Sequence, residues 1–269
     1  MKSYVILVLV FVLLVVPKSV SATNEEYEVV SKLNKEDIVL YAKKMNGLYR
    51  DFKIDFKGET YFRPFWMCVT NPTYAPELFY KDINKDGKKE LIITLTKGTG
   101  SGVHDEEVYV YRYTNGLVEV LVDNPLAIIY KNVKTKLTTK KAEIIVGNKV
   151  SIFDTKQIEP AHLFEDIAFG GIIDYEVINN KLMARVSGQI TPAMSVGDII
   201  IVYEYRNKMY QAKSIEFIPH DSIDKNPFYG PVKHSSIFSN RARFRSNDKS
   251  PNFSILMRDW AFIFICTAK

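Results

Sequence analysis

Between Leu78 and Pro219 apolar and polar residues alternate in short runs, and pairs rich in Asn and Gly punctuate them. Residues 107–113 and 116–122 flank Thr114-Asn115, and residues 142–146 and 149–153 flank Gly147-Asn148. Residues 172–178 and 181–186 flank Asn179-Asn180, and residues 199–205 and 209–217 flank Arg206-Asn207-Lys208. Alternation gives a strand one buried and one solvated face, and Asn and Gly tolerate the positive φ of tight hairpin turns. Four antiparallel hairpins in succession are therefore expected. Earlier in the chain the period changes: Ile38, Tyr41, Met45, Leu48 and Phe52 recur at steps of three and four, which predicts an amphipathic helix capped by Asn34. Glu36 and Asp37 would sit favourably in its first turn. A short strand over residues 52–56 and a short helix over residues 160–164 complete the predicted elements.

Both ends differ from this middle. Met1 to Tyr4 are a short basic start, residues 5–16 are an unbroken apolar run, and Val20-Ser21-Ala22 offers small residues for cleavage. The run is shorter than the roughly 20 residues that cross a bilayer, so residues 1–22 are read as a cleaved signal peptide that leaves no stable membrane span. The tail over residues 221–269 gathers Arg241, Arg243, Arg245 and Arg258 among Ser, Asn and Phe, and is read as atypical and poorly ordered. The expected division is an N-terminal helical segment over residues 23–60 and a β-rich domain over residues 61–220.

Charge excludes one partner class. Losing Lys2 and Lys18 trims the net charge of +5 by two, too balanced to argue for nucleic acid. Export would permit disulfides, but Cys68 and Cys266 are the two cysteines and their spacing leaves both a bridge and two thiols open.

The sharpest chemistry lies in Asp82-Ile83-Asn84-Lys85-Asp86-Gly87-Lys88-Lys89-Glu90, followed by the apolar run 91–95. Asp82, Asn84 and Asp86 alternate on what must be a curved backbone, so their oxygens converge, and the Lys88 carbonyl and Glu90 carboxylate complete an oxygen shell suited to Ca2+. An EF-hand would place glutamate at position twelve; here that position is Ile93. The residues instead resemble the short calcium loops of FG-GAP and VCBS repeat proteins, over residues 78–95. That resemblance implies a loop joining two strands, the ninth-position acid as a ligand and propeller-type surroundings. The expected fold is then mainly β, sandwich- or partial-propeller-like, with the N-terminal helix, α+β overall.

Other motifs carry less. The glycine-rich stretch 97–107 lacks the Gly-Lys-Ser/Thr end of a phosphate loop, and His104, Asp105 and Glu107 form a candidate acid–base group at its rim. Ala193-Met194-Ser195-Val196-Gly197, followed by Asp198 and His220, imitates a hydrolase elbow, yet a strand pattern follows where a helix is required. His104, His162, His220 and His234 show no zinc spacing. The aromatic run 61–66 offers either a sugar-stacking surface or a plug over a core. Together these point to an exported calcium-binding protein acting as an extracellular or cell-surface binding module, with a glycan, wall polymer or protein as partner. The alternative is a secreted hydrolase with an acidic site near residues 104–107.

Overall fold

The computed structural model describes residues 26–220. Residues 1–22, Cys266 and the tail after residue 220, on which three of the expectations above rest, lie outside the described residues. The first elements are β1 (Tyr27–Leu33), β2 (Ile38–Met45), β3 (Leu48–Phe56) and β4 (Glu59–Val69), which form a four-stranded antiparallel sheet in that order.

This overturns the expected N-terminal helix. Asn34–Glu36 is a single 3-10 turn without a side-chain cap, and Asp37 in the left-handed region breaks it. Ile38, Leu40 and Ala42 are buried in strict alternation, as are Phe52, Ile54 and Phe56. The three- and four-residue steps arise from counting across Asn46-Gly47, which is a hairpin turn: both residues hold positive φ and Met45 pairs with Leu48. The division placed at residue 61 falls inside β4, whose partner is β3.

The next strands are β5 (Glu77–Lys81), β6 (Glu90–Gly100), β7 (Val103–Tyr113) and β8 (Leu117–Val120). Helix α1 (Pro125–Asn132) follows, opened by Asn124, whose side chain accepts from the Leu126 and Ala127 amides at 2.9 and 3.2 Å. With Pro125 at its first position, α1 has a sequence signature that the strand pattern around it masked. A three-stranded sheet runs β11-β10-β9, from β9 (Val133–Leu137), β10 (Lys141–Val146) and β11 (Lys149–Asp154). The helix expected over residues 160–164 is a short 3-10 turn at Pro160–His162. The last strands are β12 (Ile172–Ile178), β13 (Lys181–Thr191), β14 (Met194–Arg206) and β15 (Met209–Pro219).

All four predicted hairpins are present, as β7–β8, β10–β11, β12–β13 and β14–β15. They join an eight-stranded sheet of order β15-β14-β13-β12-β7-β6-β5, with β8 also on β7, and the separate three-stranded sheet. The described fold is mainly β, in three sheets with one short helix.

The two halves of the large sheet meet along β7 and β12 and again where Val122 bridges Tyr210. Strand β7 meets β12 in parallel through two pairs, His104 with Ile172 and Asp105 with Ile173. Farther along, β7 pairs with β8 from Val110 to Tyr113. Between these two partners β12 departs from β7, and Glu106 bridges the fork by accepting the Tyr175 amide at 2.7 Å.

Two cores result. The four-stranded sheet packs Leu40, Phe52, Phe56 and Trp66 against Leu91, Ile93, Leu95 and Tyr111 of β6 and β7. The second core joins Ile92 and Val110 to α1, β10 and strands β12–β15. Strand β6 is thus covered on both faces, which is why residues 91–95 are buried without alternation and, Thr94 apart, apolar.

Candidate functional site

The candidate calcium loop links β5 to β6 and so feeds directly into the strand shared by both cores, in the strand-loop-strand setting expected for it. Ile83 is buried and anchors the loop, while Lys85 and Gly87 supply the two positive-φ bends that curl it. Asp82 accepts the amides of Lys85 at 2.7 Å, Asp86 at 3.2 Å and Gly87 at 3.1 Å. Asn84 accepts the Asp86 amide at 2.8 Å, and Asp86 accepts the Lys88 amide at 2.9 Å. Glu90, 1% exposed, accepts the Ile83 amide at 3.0 Å.

Asn84 draws two of the carboxylates together. The Asn84 amide donates to Glu90 at 2.7 Å and to Asp86 at 3.1 Å, so three of the five predicted ligands are in direct contact. Arg112 of β7 hydrogen-bonds Asp86, and its Nε lies 3.8 Å from Glu90. Burial raises the Glu90 carboxyl above its usual range, with the Asp86 charge adding to the effect and the Ile83 amide opposing it. The Lys88 amide holds Asp86 below that range. Three carboxylates and one amide oxygen on one curled loop are a donor set that fits a hard divalent cation. Such an ion would replace the positive partners now supplied by Arg112 and the Asn84 amide. The side chain of Lys88 is exposed, and its amide serves Asp86.

The rim group divides in two. Asp105 and Glu107 face Lys97, at 3.8 and 2.6 Å, and Tyr109 donates to Glu107 at 2.7 Å. His104 instead joins Glu106 and Asp174, with one ligand atom of each lying within 4.8 Å of the others. Burial lowers the His104 pKa, favouring neutral imidazole. Burial, then the nearby Asp174, raise the Glu106 carboxyl well above its ordinary range. His104 and Glu106 have the two-residue spacing of one strand edge, a signal visible in the chain. Asp174 was missed because its approach depends on the β7–β12 pairing, which nothing local encodes.

No family model, curated protein or solved structure matches this chain.

The elbow does not assemble. Ser195 lies in β14, and although His220 Nε2 stands 3.4 Å from Asp198, the serine that donates to Asp198 is Ser187, at 2.6 Å. Burial pushes the Asp198 carboxyl up, yet hydrogen bonds from His220 and Ser187 outweigh it and leave the pKa lowered. A depressed folded-state pKa stabilises the protein above the ordinary aspartate value of 3.8, and that contribution is lost as pH falls through the folded value. In Asp198→Asn the melting temperature is therefore expected to fall less steeply than in wild type on acidification from about pH 5 to pH 2. Parallel slopes in a thermal-melt series would contradict this.

The aromatic run is split between core and solvent. Trp66 is buried against Phe52 and Tyr109, whereas Phe62 and Phe65 are 59% and 97% exposed. Cys68 is buried, which pushes its thiol up to about 11. A cleft of about 600 Å³ near α1 is lined in part by Asn124, Lys131, Arg206 and Lys213. Among the described residues Asp123 is its one carboxylate and no histidine lines it.

Proposed function

We propose that this chain is an exported calcium-binding β protein that serves as a binding module outside the cell or at its surface. The contact of Asn84 with Asp86 and Glu90 at the entrance to β6, on a loop curled by Asp82, carries the calcium reading. Calcium there is structural: it neutralises crowded carboxylates and fixes the start of the strand on which both cores rest. The stacking of the four-stranded sheet on β5–β7 gives the module a sandwich-like half. Phe62 and Phe65 are the exposed aromatic groups that would meet a glycan, wall polymer or protein. The apolar leader in the sequence supports export.

Thermal melting in calcium and in chelator tests the metal. At tenfold excess over its dissociation constant, calcium adds about 1.4 kcal/mol. For a chain of this size that corresponds to about 3–6 °C in wild type, with the shift lost in Asp82→Ala and Asp86→Ala. Identical melts for all three proteins in both buffers would reduce the loop to a turn.

A secreted hydrolase is the second reading, favoured by buried Glu106 beside His104 and Asp174. A carboxyl with a raised pKa next to an ionisable partner is a common acid–base arrangement.

A further inference from the structure

We propose that His104, Glu106 and Asp174 bind a divalent transition-metal ion of the zinc type at the joint between β7 and β12. The geometry follows from the register. His104 and Glu106 stand two residues apart on β7, and His104 pairs with Ile172, so Asp174 lies two positions farther along β12 in step with Glu106. One ligand atom from each of the three lies within 4.8 Å of the others, and His104 Nε2 is 3.9 Å from Asp174 Oδ1. A tetrahedral zinc site with bonds of about 2.0–2.1 Å needs ligand atoms roughly 3.3 Å apart. A modest closing of the partly exposed Asp174 side chain supplies that approach.

His104 independently points to a missing ligand. Its side chain is 9% exposed, and buried Nδ1 has no hydrogen-bond partner. Nε2 faces Asp174 beyond hydrogen-bond range. An imidazole buried without hydrogen bonds is costly, and coordination through Nε2 relieves part of that cost while leaving the proton on Nδ1. Glu106 is already oriented, because one of its oxygens accepts the Tyr175 amide at 2.7 Å.

The charges nearby are mostly negative. Glu77 and Asp198 act on Asp174, opposed by Arg185, which also bonds Glu176 at 2.7 Å. A cation between Glu106 and Asp174 would offset their mutual repulsion. The imidazole nitrogen sets the preference: a nitrogen with two carboxylates suits zinc-like ions, whereas the all-oxygen loop at residues 82–90 suits calcium. Three protein ligands leave a fourth position for water. The two sites are separable by metal and by mutation, so this proposal stands without the calcium loop.

The test uses the purified full-length protein, stripped with chelator and titrated with zinc chloride against a colorimetric zinc chelator in excess calcium. Wild type is expected to take up one equivalent, with X-ray absorption showing nitrogen and oxygen neighbours that include an imidazole. His104→Ala and Asp174→Asn are expected to weaken uptake about tenfold or more, and Asp82→Ala to leave it unchanged. Circular dichroism monitors the fold of each variant. Because the absorption spectrum is recorded on wild type, it decides the ligand set even where a variant unfolds. Absence of zinc uptake by wild type, a zinc spectrum without imidazole, or folded variants that bind as wild type does would each overturn the proposal.

Discussion

Replacing Phe52 with alanine is expected to destabilise the protein by about 3–5 kcal/mol, while Phe65→Ala changes stability by roughly 0.5 kcal/mol or less. The two residues are the same type and lie on neighbouring strands of one sheet. Phe52 is fully buried and meets Trp66 edge-on with ring centroids 5.9 Å apart, so its removal opens a cavity among Ile54, Trp66 and the facing residues of β6. Phe65 is 97% exposed and leaves no cavity. Urea unfolding of both variants is the measurement. Similar midpoints for the two would mean that β3 does not pack as described.

The second large effect is expected at Gly102, in the turn between β6 and β7. Its φ of +70° is one that L side chains rarely adopt, and a Cβ there would lie 2.0 Å from the Pro192 carbonyl oxygen. That oxygen belongs to the turn between β13 and β14, so neither side can yield without moving backbone. The left-handed conformation costs alanine about 1–2 kcal/mol and the overlap about 1–3 more. At about 2–4 °C per kcal/mol, Gly102→Ala should melt roughly 10 °C below wild type. Gly98→Ala, with nothing within 4 Å of the added carbon, is the control and should melt close to wild type. Equal melting of both variants would show that the two hairpin tips do not meet.

What could be read from the chain was local. Two-residue turns such as Asn179-Asn180 identify themselves because few residues accept their backbone, and the loop at residues 82–90 contains its own ligands within nine positions. The same logic failed at Asn46-Gly47 because a helical count across it matched five apolar residues. Leu40, fully buried but off that count, was the contrary sign, since alternation with Ile38 and Ala42 explains it and a helical face does not. The His104–Glu106–Asp174 group was legible only in its first two members. Asp174 reaches them through a parallel pairing whose partners are roughly seventy residues apart in the chain.

That pairing has a kinetic consequence. Most ladders in the fold join strands that follow one another in sequence and can close early, whereas β7 and β12 must wait until the intervening chain has arranged itself. Two registered pairs, the His104 amide on the Gly171 carbonyl and one carboxylate cap form this weld, alongside the Val122–Tyr210 bridge and the bond from Gln189 to the Gly102 carbonyl. Substitutions at the weld should therefore act mainly on the unfolding arm of a chevron plot, leaving the refolding arm almost unchanged.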